Sequence, residues 1–338
     1  MSDIIRAPGA PEVDAFQGML TNLADQRFGA EVVAVSDEWF APASRLLNPL
    51  PPELHEGRFD DHGGWMDGWE TRRRRKPGFD WAIIRLPRMA VASRVDLDTT
   101  FFTGNYAPAM SIEACVSDAA LPPESANWMS LLDETELSAD SHHCHCLNQL
   151  EAPITHVRIQ IVPDGGLARL RLFGRFVPAP NADRAIDLAA TLNGGVLVVC
   201  NDAEWGDPRL ILMPGRGVDM GDGWETRRRR EPGFDWAIVE LGAPGRIERL
   251  EIDTAHFKGN YPDKCSVHAA FTHQRSLVSL TSMSIYWQEL LAPNAMRSDD
   301  EHVFTELTNI GVVSHLRINL HPDGGISRLR AFGVSSGN

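Results

Sequence analysis

Apolar and polar residues alternate in short runs along this chain. Residues 157–161 read Val-Arg-Ile-Gln-Ile, and residues 316–320 read Leu-Arg-Ile-Asn-Leu. A period of two is that of a β-strand with one buried face. Each run leads into Pro-Asp-Gly-Gly, at 163–166 and 322–325, whose glycines suit a tight turn. The pattern predicts two hairpins, which return through Ala168–Leu172 and Ser327–Ala331.

Further short apolar runs, separated by Pro, Gly and Asp residues, predict more strands. Helical periodicity is weak and is best at 129–132 and 183–190, so we expect little helix. Many short strands with few helices are typical of antiparallel β-sandwiches. The remaining predicted strands are Ala30–Val35, Trp81–Leu86, Arg94–Leu97, Ser111–Val116, Val196–Cys200, Trp236–Leu241 and Arg249–Ile252.

The two halves of the chain repeat each other. Residues 68–75 read Gly-Trp-Glu-Thr-Arg-Arg-Arg-Arg, and residues 223–230 read the same. The motif Phe-x-Gly-Asn-Tyr at 102–106 returns at 257–261. Four extra residues separate this motif from the next repeated block in the second copy, and we expect them in a loop.

Each copy is large enough to be a domain, and two copies are too few for a solenoid. The break between them falls in a Pro/Ala-rich segment. We therefore predict an all-β protein with two tandem sandwich domains from an internal duplication. The predicted bounds are 15–178 for the first domain, 179–186 for the linker and 187–334 for the second domain.

Charge and composition restrict the partners. The chain has 338 residues and a net charge of −14, which argues against nucleic acid or an anionic membrane as a partner. We see no secretory leader and no apolar run long enough to span a membrane. Five cysteines, an odd and sparse set, predict reduced thiols in a cytoplasmic protein. We expect a homo-oligomer, since the strand edges of such domains are exposed.

The two arginine runs have two interpretations. One is a solvated edge strand whose charges discourage pairing with other strands. The other is a site for a small anion, because a planar guanidinium suits a carboxylate. Alternation would turn Arg72 and Arg74 to one face and the other two arginines to the opposite face. At least one pair should then meet an acid or an anionic ligand, and Glu70, Asp67 and Asp80 are near in sequence.

The segment His-His-Cys-His-Cys at 142–146 resembles a metal site, but alternation separates its histidines from its cysteines. The second copy keeps only one of these histidines, His302, which corresponds to His143. We therefore expect no symmetric metal site and no cofactor, although a metal requirement stays open. The pair His143 and His302 is either a general acid or base near neutral pH or a pair of hydrogen-bonded structural histidines. Asn105 and Asn260 either bind polar groups of a substrate or belong to tight loops formed by Gly104 and Gly259.

Four blocks together resemble the allantoicase family. They are 65–73, Trp-Met-Asp-Gly-Trp-Glu-Thr-Arg-Arg; 78–81, Gly-Phe-Asp-Trp; the Asp-Thr and Phe-x-Gly-Asn-Tyr segment; and Pro-Asp-Gly-Gly with Arg-Leu-Arg. The resemblance covers both repeats, from about Phe28 to Gly333. It implies two jelly-roll domains of the galactose-binding-like type. It also implies hydrolysis of allantoate, a small anion, to ureidoglycolate and urea in purine (ureide) degradation.

That reaction requires a cation for the carboxylate, an acid for the leaving nitrogen and a base for water. The alternatives are a non-catalytic jelly-roll protein that binds sugars or other small molecules, and an enzyme that acts on ureidoglycolate. The candidates for the anion are Arg72, Arg74, Arg227 and Arg229; those for proton transfer are Glu70, Asp80, His143, Glu225, Asp235 and His302; those for the ureido amides are Asn105 and Asn260.

Overall fold

The computed structural model describes residues 4–178 and 184–336. The chain divides into two compact units, Met1–Phe176 and Val177–Asn338. Most of the predicted linker, residues 179–183, lies outside the described part of the chain. Both units are built from antiparallel strands, as the alternating pattern predicts.

The first unit contains helix α1 (Pro11–Gln17) and 3₁₀ turns at Gln26–Phe28 and Ala43–Leu47. Its strands, in chain order, are β1 (Ile4–Arg6), β2 (Thr21–Asn22), β3 (Glu31–Val35), β4 (Glu53–His55), β5 (Phe59–Asp60), β6 (Gly63–Gly64), β7 (Trp69–Glu70), β8 (Asp80–Asp98), β9 (Ala109–Cys115), β10 (Met129–Glu136), β11 (His142–Cys146), β12 (Ile154–Val162), β13 (Gly166–Leu167) and β14 (Arg169–Phe176).

The second unit contains helix α2 (Leu277–Ser284) and 3₁₀ turns at Thr191–Asn193 and Pro208–Leu212. Its strands are β15 (Ile186–Asp187), β16 (Val196–Cys200), β17 (Trp224–Glu225), β18 (Asp235–Asp253), β19 (Lys264–Ala270), β20 (Gln288–Ala295), β21 (Glu301–Phe304), β22 (Val313–His321), β23 (Gly325–Ile326) and β24 (Arg328–Ser335).

One long strand joins the two layers of each sandwich. The first half of β8 pairs with β3 and β12, and β9 and β10 continue that layer. Its second half pairs with β11 and β14, and β2 continues the other layer. Strand β18 has the same arrangement in the second unit. The sequence predicted two separate strands in each of these regions, where the structure has one strand of 19 residues.

The predicted hairpins around Pro-Asp-Gly-Gly are wrong. Strands β12 and β14 do not pair with each other, because β8 lies between them in the sheet order. The Pro-Asp-Gly-Gly segment therefore crosses from one layer to the other. Both copies contain a cis peptide bond, before Pro163 and before Pro322.

The core of the second unit lies between the two layers. Alternate residues from both halves of β18 are buried, and they meet alternate residues of β22 and β24. Burying one such side chain stabilises a fold by about 1.5–3 kcal/mol. These core residues include Ala237, Val239, Leu250, Ile252, Leu316, Ile318, Leu320, Leu329 and Ala331.

The helix predictions are wrong as well. Residues 129–132 lie in β10, and the described residues of 183–190 contain β15 and no helix. Helix α2 lies in the region where the second copy has extra residues and a loop was expected. Its N-terminus is capped by Ser276, whose side chain accepts a hydrogen bond from the backbone nitrogen of Ser279.

Candidate functional site

The repeated glutamates lie in short strands outside the main sheets. Glu70 is opposite Gly166 in the pairing of β7 with β13, and Glu225 is opposite Gly325 in the pairing of β17 with β23. On its other side, the backbone nitrogen of Glu70 donates to the carbonyl of Ala41 at 3.1 Å. Backbone hydrogen bonds from two sides thus fix the position of the Glu70 carboxylate.

The threonine after each glutamate anchors the segment to the Pro-Asp-Gly-Gly turn. The Thr71 nitrogen donates to the Gly165 carbonyl at 3.0 Å, and the Gly165 nitrogen donates to Thr71 Oγ1 at 3.2 Å. Thr226 and Gly324 make the same two contacts, each at 3.1 Å. These reciprocal hydrogen bonds hold the segment that carries each glutamate and arginine against the turn.

The repeated asparagines contact the glutamate carboxylates, as a shared site requires. Asn260 Nδ2 donates to Glu225 Oε1 at 2.6 Å, and Asn105 makes the corresponding hydrogen bond with Glu70. The backbone of Gly324 allows this approach: its φ is +134°, and a Cβ there would lie 2.9 Å from the Asn260 carbonyl oxygen. The two predicted substrate-binding asparagines and two predicted acids are therefore brought together.

Burial changes the acidity of Glu70. Desolvation raises the pKa of this carboxyl above its ordinary value of 4.5, and the hydrogen bond from Asn105 offsets part of that rise. A carboxyl group with a raised pKa keeps its proton closer to neutral pH. Such a group is suited to donate a proton to a leaving group.

Two residues after each glutamate, an arginine lies at the surface. Arg72 contacts Asp37 Oδ2 through Nε at 2.7 Å and through Nη2 at 2.5 Å, and 61% of its side chain is exposed. Burial raises the pKa of Asp37, but hydrogen bonds from Arg72 outweigh it and lower the pKa overall. Arg227 pairs in the same way with Asp202 at 2.8 Å, with 68% of its side chain exposed. Both guanidinium groups are held in place, yet each keeps an open edge.

Arg74 and Arg229, which the sequence also assigned to the anion, point back into the protein. Arg74 Nη1 donates to Asp80 Oδ1 at 2.8 Å, and Arg229 Nη1 donates to Asp235 Oδ1 at 2.8 Å. Asp80 and Asp235 are only 3% and 2% exposed. The prediction that at least one arginine pair of a run meets acids is confirmed, since Arg72 contacts Asp37 and Arg74 contacts Asp80. The ion pairs of Arg74 and Arg229, however, are internal. A buried, paired carboxylate is unsuited to proton transfer, so the candidate role of Asp80 and Asp235 is corrected to a structural one.

The other arginines of the two runs are at the surface. Arg73, Arg75, Arg228 and Arg230 are exposed. Within residues 4–178 and 184–336 they make no hydrogen bond or ion pair. They fit the predicted solvated face rather than a site.

His143 and His302 are each held by hydrogen bonds to backbone groups. The backbone nitrogen of Ser138 donates to His143 Nε2 at 2.8 Å, and His143 Nδ1 donates to the Leu97 carbonyl at 2.9 Å. His302 makes the equivalent contacts with Arg297 and Ile252, at 2.8 and 3.1 Å. Both ring nitrogens are occupied by backbone groups, so neither histidine can exchange a proton with a substrate. Their assignment as general acid or base is corrected accordingly.

The His-Cys segment forms strand β11, as the alternation assumed. His142 Nδ1 lies 2.9 Å from Asp96 Oδ2, and this hydrogen bond raises the pKa of His142. Among the described residues, no group of three or more His, Cys, Asp or Glu side chains is arranged to hold a metal ion.

Sequence reasoning did not assign two tryptophans to the site. Trp39 packs against the Arg72 guanidinium, with the guanidinium carbon 5.2 Å from the ring, and Trp205 contacts Glu225 through a backbone hydrogen bond of 3.0 Å. Asp164 has a structural role, since its Oδ2 accepts a hydrogen bond from the Arg74 backbone nitrogen at 2.7 Å. The signal for the tryptophans was a loose repeat of Asp and Trp upstream of the arginine runs.

The comparisons with known proteins agree over nearly the whole chain. A family model described as "Allantoicase repeat" matches residues 21–177 and again residues 186–336. "Probable allantoicase 2" of Burkholderia pseudomallei (strain K96243) is 50% identical over 329 residues, which are 96% of this chain and 97% of that protein. "Probable allantoicase" of Pseudomonas fluorescens (strain SBW25) is 48% identical over 319 residues, 93% of this chain and 96% of that protein.

A solved structure matches to a similar extent. The crystal structure of allantoicase from Saccharomyces cerevisiae has a TM-score of 0.80 and 34% identity, and the match covers 98% of this chain and 100% of that chain. In the part of this chain that is described, no helix is long and apolar enough to cross a membrane.

Proposed function

The chain belongs to the allantoicase family, and we propose that it hydrolyses allantoate to ureidoglycolate and urea with one site in each repeat. It is thus a carbon–nitrogen hydrolase of purine (allantoin) degradation. One observation supports this location of the site. A glutamate is hydrogen-bonded to an asparagine, and an arginine two residues after the glutamate is held by an aspartate. This arrangement occurs in both units.

The open guanidinium edge is suited to the carboxylate of allantoate. Asp37 occupies Nε and Nη2 of Arg72, and no residue in the described part of the chain accepts a hydrogen bond from Nη1 on the opposite edge. Asp37 also keeps the guanidinium over Trp39, so little side-chain entropy is lost when the anion binds. In the second repeat, Asp202 likewise holds Arg227 through Nε at 2.8 Å, and Glu204 Oε2 lies 3.4 Å from the same nitrogen.

The asparagine and glutamate side chains are suited to the ureido groups. A ureido group has N–H donors and a carbonyl acceptor, and Asn105 offers both an acceptor and donors. Glu70, with its raised pKa, is placed beside that amide. We assign Glu70 and Glu225 as the groups that transfer the proton.

The bond that breaks joins the central carbon to one ureido nitrogen, because urea leaves intact. The glutamic acid donates its proton to that nitrogen, and the lone pair of the second ureido nitrogen forms a double bond to the central carbon. Urea departs, and the resulting carboxylate takes a proton from the water that attacks the iminium carbon. The product is ureidoglycolate, and the glutamic acid is regenerated, so atoms and protons balance.

This route uses no metal, and we propose that turnover is independent of one. The chelator test is direct: activity that persists after dialysis against EDTA supports the proposal, and activity that is lost and then restored by a single metal contradicts it.

One observation favours a second candidate, a sugar-binding protein. Trp39 and Trp205 are 50% and 63% exposed, and exposed aromatic rings are common platforms for sugar rings. The anchored arginines favour an anion instead. Release of urea from allantoate distinguishes an allantoate hydrolase from a sugar-binding protein. The relative rates with allantoate and ureidoglycolate distinguish it from an enzyme that acts on ureidoglycolate.

The test of the sites is replacement of the glutamates by their amides. We expect Glu70→Gln and Glu225→Gln each to retain part of the activity, and the double variant to lose at least about 10²-fold in kcat. Glu231→Gln, in an exposed position after the second arginine run, is the control. Wild-type turnover by the folded double variant would place the acid elsewhere.

We also propose a cytoplasmic location and a homo-oligomeric state. Free thiols support the first: Cys115, Cys144, Cys146, Cys200 and Cys265 are all unpaired. Light scattering coupled to size-exclusion chromatography measures the second directly.

A further inference from the structure

The second unit has a cluster of cationic and polar side chains on the outer face of one layer. Strands β19 and β22 place three pairs opposite each other: Lys264 with His321, Ser266 with Asn319, and His268 with Arg317. The residues between them in β19 are buried apolar side chains of the core. We call these six residues the β19–β22 cluster.

Arg317 is the centre of this cluster and is almost fully buried, with 5% exposure. Its Nε donates to Asn319 Oδ1 at 3.0 Å, and its Nη1 donates to Ser284 Oγ of α2 at 2.9 Å. Its central carbon lies 4.6 Å from the Trp236 ring. Among the residues that the structure describes, Nη2 has no hydrogen-bond partner and the guanidinium has no carboxylate. A buried charge of this kind is costly unless an anion accompanies it.

In the first unit, the equivalent arginine does have a carboxylate partner. Arg158, at the position equivalent to Arg317, donates from Nε to Glu113 Oε2 at 2.8 Å. Gln160 donates to the same oxygen at 2.6 Å. The cation–π contact is also present, since Arg158 lies 4.4 Å from the Trp128 ring. The first repeat thus neutralises its strand arginine with a carboxylate from the neighbouring strand.

In the second repeat that carboxylate is replaced by an imidazole. His268 is opposite Arg317, as Glu113 is opposite Arg158. A second substitution adds cationic groups beyond it: Lys264 and His321 are paired where the first repeat pairs Ala109 with Val162. The second unit therefore keeps the arginine, loses the acid at this position and gains three groups that can carry positive charge. The neighbouring acid, Glu289, lies opposite His268 in β20 and is exposed.

We propose that the β19–β22 cluster binds a small carboxylate anion in the place that the Glu113 carboxylate has in the first repeat. The Arg317 guanidinium donates to the anion through Nη2. Further donors are His268 Nε2 and His321 Nδ1, because Asn319 contacts the other nitrogen of His268 and Ser266 contacts the other nitrogen of His321. This site is separate from the glutamate–asparagine sites and contains none of their residues.

The charges around the cluster determine its pH dependence. The pKa of His321 is lowered most by burial, and it is lowered further by His268 and by Lys264. Burial lowers the pKa of His268, exposed Glu289 of β20 raises it, and Arg317 lowers it. A bound carboxylate favours the protonated imidazoles, so binding takes up protons and strengthens as the pH falls.

Acetate is the probe, at constant ionic strength set with chloride. We expect it to raise the midpoint of thermal unfolding of the full chain in a saturable way, because a ligand that binds only the folded state stabilises it. His268→Glu supplies the carboxylate internally, and this variant should lose the acetate response. His273→Glu makes the same charge change at an exposed position outside the cluster and should keep the response.

A second readout is independent of the unfolding midpoint. Acetate should raise the titration midpoints of the His268 and His321 ring resonances and leave that of His273 unchanged. The proposal is overturned if acetate has no saturable effect on the unfolding midpoint, even if inorganic phosphate has such an effect. It is also overturned if the acetate response persists in His268→Glu. Neither result depends on turnover of allantoate, so failure here leaves the catalytic proposal intact.

Discussion

Asn260 Nδ2 lies 2.6 Å from Glu225 Oε1, although 35 residues separate them in the chain. The contact joins the segment of an arginine run to the Phe-x-Gly-Asn-Tyr loop, two of the motifs that the duplication repeats. Asn105 and Glu70 make the same contact in the first unit. Two motifs that are far apart in sequence therefore meet in each unit, and the two units can be compared with each other.

The first prediction concerns proton transfer by Glu70. Asn105→Ala removes a hydrogen bond that lowers the pKa of Glu70, so that pKa should rise further above 4.5. Because the proposed acid must be protonated, the alkaline limb of the profile of kcat against pH should move to higher pH. The measurement is made in the Glu225→Gln background, which isolates the first site. An unchanged alkaline limb would argue against Glu70 as the acid.

The second prediction concerns stability against pH. Burial raises the pKa of Glu70 in the folded state above its unfolded value. The folded state therefore holds this proton more tightly, and the contribution of Glu70 to stability is present below pH 4.5 and is lost as pH rises through the folded pKa. Glu70→Gln, which cannot ionise, should unfold at a higher temperature than wild type at neutral pH. At acidic pH the two midpoints should converge; a constant difference would mean that ionisation is not the cause.

The third prediction separates the two arginines of one run. Arg72→Ala should reduce kcat/KM, mainly through KM, by an amount equivalent to about 1.5–3 kcal/mol, the usual worth of a hydrogen bond to a charged group. Arg73→Ala removes an exposed neighbouring guanidinium and should change little. Both variants are assayed in the Glu225→Gln background. Equal effects of the two changes would point to general electrostatic attraction instead of a specific contact.

The fourth prediction concerns Arg74, which lies in the same run but faces inward. Arg74→Ala leaves the Asp80 carboxylate, 3% exposed, without its cation. We expect a loss of stability of about 1–3 kcal/mol, moderated by the hydrogen bond that Ser36 Oγ donates to Asp80. Denaturant unfolding measures it. A stable Arg74→Ala enzyme with a large rise in KM would restore Arg74 as a substrate ligand.

The sequence predicted much of this molecule because its information is local and repeated. Alternation identified most strands. The duplication predicted a site at Glu70, Asn105 and Arg72 and at their second copies, and the structure brings each glutamate into contact with its asparagine. These are properties of single segments, which a linear pattern records. Alternation also grouped Arg72 with Arg74, and this grouping is wrong: residues 71–75 do not form a strand, Arg72 contacts Asp37 at the surface, and Arg74 contacts buried Asp80.

The wrong predictions concern residues whose contacts are made with parts of the chain that are distant in sequence. The partners of His143 are the Ser138 nitrogen and the Leu97 carbonyl, and no residue type reveals such partners. The predicted hairpin at Pro163 failed because a third strand, β8, enters between its two arms. Arg74 was assigned to substrate because its proximity to Asp80 depends on how the segment folds back.

The fifth prediction concerns Gly324, in the Pro-Asp-Gly-Gly turn whose glycines the sequence predicted to be conformationally important. The motif Phe-x-Gly-Asn-Tyr suggested that Gly259 supplies a permissive backbone, but a Cβ at Gly259 meets nothing within 4 Å. The constraint lies in the facing turn, where Gly324 has a φ of +134° and a Cβ would lie 2.6 Å from the Pro262 nitrogen. Gly324→Ala should therefore destabilise the second unit by at least about 1–3 kcal/mol.

The same clash should push Asn260 away from Glu225, because the added Cβ also comes within 2.9 Å of the Asn260 carbonyl oxygen. Assayed in the Glu70→Gln background, Gly324→Ala should lose turnover at temperatures where the variant remains folded. Gly259→Ala is the matched control and should keep both stability and turnover. If the two glycine variants behave alike, the close approach of the turn to the asparagine loop does not position the second site, and the glutamate–asparagine contact must be maintained by other groups.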